Sequence, residues 1–348
     1  MRDLNLTCPT PLQYQQITLA HGGGGRLMQQ LLGNIIQPVF SNPILNQQHD
    51  SAVLNINCAK LAFTTDSYVI KPLFFPGGDI GKLAVCGTLN DLAMSGAKPL
   101  YLSCAFIIEE GFPIADLQRI VASMQHTAEQ AGVQIVTGDT KVVDHGNGDG
   151  VFINTAGIGV LADQTAISPA QIQVGDNIII NSDLARHGMA IMLAREGMAF
   201  DSAIESDCAD VSGLVQDLIE AGVAIHCLRD LTRGGLASAL IELAGTSHHA
   251  FNIDETALPI HTDVQSACEI LGFDPLYIAN EGCFALFVPE QATAQALQVL
   301  RGHPLGEQAV VIGKVRAVHD KGLLTLQTAM GVSRVLDLLS GEQLPRIC

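Results

Sequence analysis

Four aspartates in the first half of the chain stand where an apolar strand ends or inside a helix of small residues. They are Asp50 in HDSAVL, Asp66 in FTTDSYVI, Asp91 in LNDLAMSGA and Asp139 in IVTGDTKVV. Hard carboxylate oxygens are the ligands that Mg²⁺ prefers, and phosphates and waters complete its shell. Aspartate also caps helices and turns, so each position alone is ambiguous. The four together favour a metal-assisted phosphate site.

A glycine run, HGGGGR at 21–26, is the second candidate for ligand contact. Four glycines let the backbone approach a ligand closely, and a helix is predicted to begin directly after them. No G-K-[ST] follows, so the run is not a Walker A loop. A flexible connection after the first strand is the alternative interpretation.

Four further charged side chains fit such a site. Lys141 follows Asp139 by two residues, which places a cation near the proposed metal and phosphate, unless it is an ordinary loop lysine. In LRDLTRGGLASAL, Asp230 and Arg233 precede a glycine pair that opens a helix, where an anion could bind or a cap could simply form. Glu281, just before a strand, is either a base or a surface turn residue.

The chain ends in SGEQLPRIC, so its last residue, Cys348, carries both a thiol and a carboxylate. A helix is predicted over GVSRVLDLLS, ending at Gly341, and Pro345 keeps its neighbours extended. The result is a detached tail that can reach other sites. A prenylation signal is excluded, because it places cysteine four residues from the end. Termini tolerate change, so the tail alone does not establish a role.

Composition limits the classes of function. The 35 acidic and 18 basic residues give a net charge of −17, which disfavours nucleic acid and anionic membranes as partners. An acidic protein can still bind a nucleotide through divalent cations. Nine cysteines without a C-x-x-C pair argue against a disulfide framework or a zinc site and favour a reducing cytoplasm.

Apolar periodicity predicts two α/β halves, as expected for 348 residues. The first half has strands at AVLNI, KLAFTTD, LYLSCAFII, VQIVTGDT and VFINTAGIGVLA, with helices at DIGKLAVCGTLNDLAMSGA and ADLQRIVASMQHTAEQAG. A boundary is predicted near Ser168-Pro169. The second half has a strand at DNIIINS, helices through GMAIMLAREGM, 209–222 and 234–245, and strands around 284–288 and 309–318.

Eight motifs, in this order, carry a resemblance: HGGGG, DSYVI, NDLAMSGA, GDTKVV, FINTAGIG, RDLTRGG, NEGCF and the terminal PRIC. From about residue 17 to the end the chain closely resembles the hydrogenase maturation family HypE, the carbamoyl dehydratases. NDLAM and GDT are shared with aminoimidazole ribonucleotide synthetase, selenophosphate synthetase and thiamine monophosphate kinase. GDTKVV, RDLTRGG and PRIC separate HypE from those relatives.

The resemblance implies an α/β (α+β) fold of the aminoimidazole ribonucleotide synthetase type, with the nucleotide in the cleft between two domains. N-terminal domains would pair in a homodimer. The implied division is a glycine-rich segment with the first helix at 1–40, an ATP- and metal-binding domain at 41–163, a C-terminal domain at 164–338 and a mobile tail at 339–348.

The reaction that the resemblance implies takes place on the thiol of the terminal cysteine. A carbamoyltransferase, HypF, would load a carbamoyl group onto the thiol, and ATP with Mg²⁺ would drive its dehydration to a thiocyanate. The cyano group would pass to iron on a HypC–HypD scaffold for a [NiFe]-hydrogenase. Two other hypotheses are a small-molecule kinase or synthetase with an incidental cysteine, and a carrier without catalysis.

The resemblance also implies roles for individual residues. Cys348, Lys141 and Glu281 would be catalytic, with the residue that takes the amide proton left open. Asp50, Asp66, Asp91 and Asp139 would bind metal, although His49 replaces an acidic residue of the family motif. The nucleotide would contact His21, Gly22, Gly23, Gly24, Gly25, Asp66, Asn90, Asp91, Gly138, Asp139, Thr140, Asp230 and Arg233.

Overall fold

The computed structural model describes residues 25–31, 33–34, 45–48, 50–56, 59–162, 166–197, 204–339 and 347–348. The first four residues of the predicted nucleotide set, His21–Gly24, and His49 lie outside these ranges, as does the predicted domain boundary at 163/164. The statements below refer to the described residues.

The first half forms a five-stranded sheet in the order β1-β2-β7-β5-β6. Its strands are β1 (Ala52–Ile56), β2 (Ala59–Tyr68), β5 (Lys98–Glu109), β6 (Gln134–Val143) and β7 (Val151–Leu161). Only β5 and β6 are parallel neighbours. A short hairpin, β3 (Phe74–Phe75) and β4 (Gly78–Asp79), leads into the central helix. The predicted strands are confirmed, and β6 continues through Lys141 to Val143.

The first half of the chain also contains the helices α1 (Arg26–Leu31), α2 (Ile80–Met94) and α3 (Ile114–Gln130). Helix α2 begins at Asp79, whose carboxylate accepts hydrogen bonds from the backbone N–H groups of Gly81 and Lys82. This helix is buried along almost its whole length, as its small residues predict. It packs on β2 and β7 and also contacts the second half of the chain.

The second half forms a seven-stranded sheet in the order β14-β13-β10-β12-β8-β11-β9. Its strands are β8 (Asn177–Ile180), β9 (Cys227–Asp230), β10 (His249–Asp254), β11 (Phe284–Val288), β12 (Val310–Val318), β13 (Leu323–Gln327) and β14 (Ser333–Leu336). Its helices are α4 (Arg186–Glu196), α5 (Ser212–Glu220), α6 (Gly235–Ser247), α7 (Thr262–Leu271) and α8 (Thr293–Arg301).

One element was predicted wrongly. The segment GVSRVLDLLS has helical spacing of apolar residues, but it contains the strand β14, in which Leu336 pairs with Leu324 of β13. The open edge of the sheet supplies backbone hydrogen bonds, and the β-branched Val335 fits an extended strand. Tertiary pairing therefore overrides the local periodicity here.

The largest apolar core joins the two halves. It includes Leu83 of α2 and Ile120 of α3 together with Ile180 of β8 and Phe251 of β10. Ile347 belongs to the same core, so the chain terminus packs where the two halves meet. The cleft beside this terminus contains seven of the predicted functional residues: Asp50, Asp66, Asp91, Asp230, Arg233, Glu281 and Cys348.

Candidate active site

A polar cavity of about 250 Å³ opens between β2, α2, β9 and the last residue of the chain. Six acidic side chains line it, against two arginines. The lining charged and hydroxyl side chains and the thiol are Asp50, Thr64, Thr65, Asp66, Tyr68, Asp91, Arg229, Asp230, Thr232, Arg233, Glu242, Glu281 and Cys348. This charge balance makes the cavity a site for cations, for protons, or for both.

Strand β2 contributes its inward-facing residues. Side chains alternate across a strand, so Thr64, Asp66 and Tyr68 share the face that packs on α2. Asp66 accepts a hydrogen bond from the Ser67 backbone at 2.7 Å. Its pKa is raised by burial, while Arg233 acts in the opposite direction.

Helix α2 brings Asp91 against the same strand. The Thr64 hydroxyl donates to Asp91 Oδ2 at 2.8 Å. Gly87, one turn earlier, lets the Tyr68 ring lie directly on the helix, because a Cβ there would come within 2.5 Å of the Tyr68 hydroxyl oxygen. Burial and the negative charges of Asp230, Asp66 and Asp50 raise the pKa of Asp91 well above its usual value.

Asp50 belongs to a buried ion-pair network. Arg229 Nε lies 3.1 Å from Asp50 Oδ1, and its Nη2 lies 2.7 Å from Glu242 Oε2. Gln29 of α1 donates to the other Glu242 oxygen at 2.7 Å. One oxygen of Asp50 is thus committed to Arg229, so any metal bound by Asp50 would share this carboxylate with a cation.

The end of β9 and the start of α6 place Asp230 and Arg233 at the cavity. The turn requires glycine, because Gly234 and Gly235 have φ angles of +79° and +60°. A Cβ on Gly235 would also lie 2.5 Å from the carbonyl oxygen of Ile278. Burial and the nearby Asp50 raise the pKa of Asp230 to about 7, while Arg229 acts to lower it.

Glu281 is held by its backbone and leaves its carboxyl group facing the cavity. Its N–H donates to Asp207 Oδ1 at 3.1 Å, and its carbonyl accepts from Asn90 at 3.3 Å. The residue is 3% exposed, and Oε1 has no hydrogen-bond partner among the described residues. Burial, followed by the charges of neighbouring thiol and carboxylate groups, raises the pKa of Glu281 well above its usual value.

Cys348 completes the wall. The Val69 N–H donates to its backbone oxygen at 3.1 Å, and Ile347 bridges Ile70 in antiparallel fashion. Burial raises the pKa of the Cys348 thiol, and Arg233 partly opposes this effect. An ionised Cys348 would in turn be the strongest influence raising the pKa of Arg233. The resting thiol is therefore protonated and lies beside a cation.

Asp139 and Lys141 are not brought to this cavity within one chain. Asp139 pairs with Ala105, Ala105 with Asn154, and Asn154 with Ser67. Directly paired residues share one face of a sheet, so Asp139 lies on the face opposite Asp66. Lys141 Nζ lies 2.6 Å from Asp139 Oδ2, and both side chains are about two-thirds exposed. For Asp139 and Lys141 to bind metal or act in catalysis as predicted, the site would have to include groups other than those that line this cavity.

Other predicted nucleotide contacts have structural partners. Asn90 donates to the carbonyl oxygen of Ala209 at 3.0 Å and accepts from the N–H of Val211 at 2.9 Å, so it connects α2 to the second half of the chain. Gly138 permits close strand pairing, since a Cβ there would meet the Cys104 carbonyl oxygen at 2.0 Å.

Gly25 and Thr140 are the two remaining predicted nucleotide contacts among the described residues. Gly25 accepts a hydrogen bond from Gln29 N at the start of α1, and the Thr140 N–H donates to Asp139 Oδ1. Neither residue lines the described cavity. Their predicted roles in nucleotide binding, like those of Asn90 and Gly138, stay predictions.

Among the cavity residues that were not anticipated are Thr64, Thr65, Tyr68, Arg229 and Glu242. Thr64 and Tyr68 stand two residues either side of Asp66, so strand alternation could have found them. Arg229 precedes Asp230 directly. Glu242 lies inside a helix with no motif around it, and only the fold brings it to Arg229.

Comparison with known proteins agrees with this architecture. The families described as AIR synthase related protein, N-terminal domain and C-terminal domain, match residues 48–161 and 173–324. The chain is 52% identical over 339 residues to "Carbamoyl dehydratase HypE" of Rhodobacter capsulatus, covering 97% of this chain and 99% of that protein.

Two solved structures are similar over nearly the same length. "Crystal structure of HypE-HypF complex" has a TM-score of 0.84 and 46% identity, covering 89% of this chain and 99% of the other. "Crystal Structure of Hydrogenase Maturation Protein HypE in complex with ATP" has a TM-score of 0.80 and 46% identity, covering 96% and 100%. The chain therefore belongs to the carbamoyl dehydratase HypE family, within the AIR synthase related proteins.

Proposed function

We propose that the protein uses ATP to dehydrate a carbamoyl group on its own Cys348, leaving a thiocyanate that serves as the cyanide source for a [NiFe]-hydrogenase. The observation that carries the proposal is the terminal thiol lying in one cavity with Glu281, Arg233 and the buried aspartates. A substrate attached to the tail would be presented there without any diffusing intermediate. The name and full-length similarity of the relatives support the same activity.

The reaction balances without a further reagent. The carbamoyl oxygen attacks the terminal phosphorus of ATP and releases ADP. The C–O bond then breaks, the oxygen leaves as part of inorganic phosphate, and the nitrogen loses two protons as the C≡N bond forms. Phosphorylation is needed because an amide oxygen is a poor leaving group. The apolar packing of Ile347 excludes water on one side of the reacting group, which limits hydrolysis.

Glu281 is the proposed acceptor of a nitrogen-bound proton. Glu281 lines the cavity, its Oε1 has no hydrogen-bond partner among the described residues, and its raised pKa makes the ionised form a strong base. Lys141, the other predicted candidate, lies on the opposite face of the sheet. Arg233, beside Cys348, is placed to neutralise charge that develops on the phosphorylated oxygen.

The buried carboxylates fit Mg²⁺ bound together with ATP. Burial raises the pKa values of Asp66, Asp91 and Asp230, and the charges of neighbouring carboxylates raise those of Asp91 and Asp230 further. They do not form a preassembled metal cluster among the described residues. Mg²⁺ commonly uses only one or two carboxylates and takes its remaining ligands from phosphates and water. Such an ion would offset the negative charge of the triphosphate during phosphoryl transfer.

A homodimer through the outer face of the first sheet is part of the proposal. This face exposes apolar side chains to a degree unusual for a monomer. They are Phe63, Tyr101, Ile107 and Ile158. Asp139 and Lys141 lie among them, so pairing would cover both and could bring them to a site that one chain leaves incomplete.

Partners and compartment follow from the chemistry. A similar structure is titled as a HypE–HypF complex, and we propose HypF as the source of the carbamoyl group. A HypC–HypD scaffold would accept the cyano group. Six cysteines of the described residues besides Cys348 are buried free thiols, which fits action in a reducing cytoplasm. No helix of the described residues is long and apolar enough to cross a membrane.

Intact-protein mass spectrometry tests the proposal. The native chain and Cys348→Ala are incubated with HypF, carbamoyl phosphate and Mg-ATP. The native chain should gain one carbamoyl group and then lose one water in an ATP-dependent step, and the alanine variant should do neither. Equal modification of both chains, or none, would instead favour a kinase or synthetase with an incidental terminal cysteine.

A further inference from the structure

The last two residues are seated by both halves of the molecule. On one side, Ile347 pairs with Ile70, and the Val69 N–H donates to the Cys348 oxygen at 3.1 Å. On the other side, the carbonyl oxygen of Ile347 is hydrogen-bonded to His187 Nε2, in the first turn of α4. Ile347 is only 5% exposed, so this carbonyl lies away from water.

His187 is fully buried and is itself fixed in place. Its Nδ1 lies 2.7 Å from Ser206 Oγ, and its ring meets Phe75 edge-on at 5.6 Å between centroids. The Cys208 N–H donates to the same Ser206 oxygen at 3.0 Å. Burial lowers the pKa of His187 to about 4, so the ring is neutral near pH 7.

The partners determine the tautomer. A carbonyl oxygen only accepts hydrogen bonds, so Nε2 of His187 must carry the ring proton. In a neutral imidazole Nδ1 is then an acceptor, and the Ser206 hydroxyl donates to it. The Ser206 oxygen can still accept from Cys208. A directional chain of donors therefore runs from Cys208 through Ser206 and His187 to the tail.

We propose that His187 is a positioning residue, oriented by Ser206, that clasps the Ile347 carbonyl and so holds Cys348 in the cavity. The inference rests on the proposed function, because the seat matters for catalysis only if Cys348 carries the reacting group. Ile347 directly precedes Cys348, so fixing its carbonyl on one side and the Cys348 oxygen on the other restricts the thiol. A loaded tail would be returned to the same place.

The clasp is also suited to release. The tail must leave the cavity to be loaded by another enzyme, so its seat has to be reversible. It consists of one antiparallel bridge, one backbone hydrogen bond and one side-chain donor, divided between the two halves of the chain.

Alkylation of Cys348 measures this seat without requiring any turnover. Native protein, His187→Ala and His187→Gln are exposed to iodoacetamide, and each cysteine is followed by peptide mass spectrometry. His187→Ala leaves a buried carbonyl without its donor, so Cys348 should react roughly 5- to 100-fold faster. A glutamine side chain keeps an N–H donor of similar reach, so His187→Gln should restore much of the protection.

Buried Cys227 and Cys268 are the internal controls, since they react only if the domain opens. If Cys348 alone becomes reactive, the clasp is supported. An unchanged rate at Cys348 in His187→Ala, with both controls protected, would overturn it.

If Cys227 and Cys268 also become reactive in His187→Ala, a thermodynamic cycle distinguishes the loss of the tail contact from a general loss of domain stability. The fall in Tm caused by His187→Gln is compared in the full chain and in a chain lacking Ile347 and Cys348. A clasp predicts a smaller fall in the shortened chain. Equal falls would mean that His187 only stabilises its own domain.

Single-turnover dehydration of carbamoylated protein separates this inference from the proposed function. The clasp predicts a slower dehydration step in His187→Ala, an unchanged KM for ATP, and recovery in His187→Gln. If native protein dehydrates its tail but the variants do not differ, the clasp fails and the function stands. If alkylation of Cys348 changes as expected but neither native protein nor a variant dehydrates the carbamoylated tail, the positioning role of His187 is supported. The proposed function is then overturned.

Discussion

The buried helix α2 and the exposed strand β6 each carry one of the predicted metal-binding aspartates, yet the fold uses them in opposite ways. Asp91 of α2 lies against Thr64 and shares the cavity with Asp66 and Asp230. Asp139 of β6 lies on the outer face of the same sheet and pairs with Lys141 at 2.6 Å. The two aspartates were predicted to bind metal together.

The surroundings give the two carboxylates opposite properties. Burial and like charges raise the pKa of Asp91 well above its usual value. The hydrogen bond from Lys141 lowers the pKa of Asp139. Asp91 therefore gains most from a bound cation, whereas Asp139 already has one. Residue type and motif do not reveal this difference, because it depends on which face of the sheet each residue occupies.

The largest expected effect is at Glu281, on the cavity side. Glu281→Gln keeps the shape but removes the base, so dehydration should fall by about 10²–10⁴-fold, the usual contribution of a general base. Single-turnover mass spectrometry of carbamoylated protein measures it. Glu290→Gln, an exposed residue paired with Lys314, is the matched control and should behave as native. A Glu281→Gln chain with native rates would remove Glu281 from the mechanism.

Asp91→Asn against Asp139→Asn tests the comparison directly. Asp91→Asn should lower Mg-ATP turnover by about 10–100-fold, as is typical when a group supporting a metal site is changed. It should also raise Tm, because it removes a buried charge among like charges. Asp139→Asn should have the smaller effect on turnover and no such gain in Tm.

Equal losses of turnover in these two variants would break the distinction between the faces. The outer face would then have to be part of the catalytic site. A rise in Tm for Asp139→Asn would contradict the assignment of its charge to an exposed ion pair.

The pH dependence of the free energy of unfolding distinguishes the buried His187 from an exposed histidine. The pKa of His187 in the fold, about 4, lies below its ordinary value of 6.5. Its contribution to stability is therefore complete above about pH 6.5 and is lost as the pH falls toward 4. Between pH 7.5 and pH 5 this contribution should fall by about 2 kcal/mol, from 1.36 kcal/mol per pKa unit.

Urea unfolding at the two pH values measures this loss as the difference between native protein and His187→Gln. His145→Gln is the control, since His145 sits in the exposed loop after β6, with 85% of its side chain accessible. An equal acid loss in native and His187→Gln protein would contradict the burial of a neutral imidazole.

The smallest expected effect concerns Lys141 and tests whether its side chain contributes to the cavity of the other subunit in a dimer. Lys141→Ala and Glu281→Gln chains are mixed under conditions that exchange subunits. If Lys141 serves the partner's cavity, half of the dimers are mixed and each has one intact site, so about a quarter of native activity should return. No recovery, with mixed dimers verified by native mass spectrometry, would confine Lys141 to a role on its own chain.

Much of the fold was predictable because its elements carry strong local signals. The strands of the first sheet and α2 follow from apolar runs and small residues, and they agree with the structure to within a few residues. The segment containing β14 does not, since its helical spacing is overridden by pairing with β13. An open sheet edge is a property of the whole domain and leaves no trace in ten residues of sequence.

The candidate site likewise contains residues that motifs predicted and residues that only the fold brought together. Asp66, Asp91, Asp230, Arg233, Glu281 and Cys348 were predicted from motifs and meet in one cavity. Glu242 and His187 were not predicted, because no motif surrounds Glu242 and the partner of His187 is 160 residues further along the chain. Glu242 pairs with Arg229, and His187 reaches Ile347 only after both halves have folded.

The sequence by itself determined the class of chemistry, since carboxylates, a glycine-opened helix and a terminal thiol are chemical identities that folding does not alter. It also determined the family, through eight motifs in a characteristic order along the chain. Tertiary structure alone decided which aspartates face the cavity, which carry raised pKa values, and where the tail rests. The reason is that strand register assigns side chains to faces, while burial and neighbouring charge, both products of packing, set their protonation.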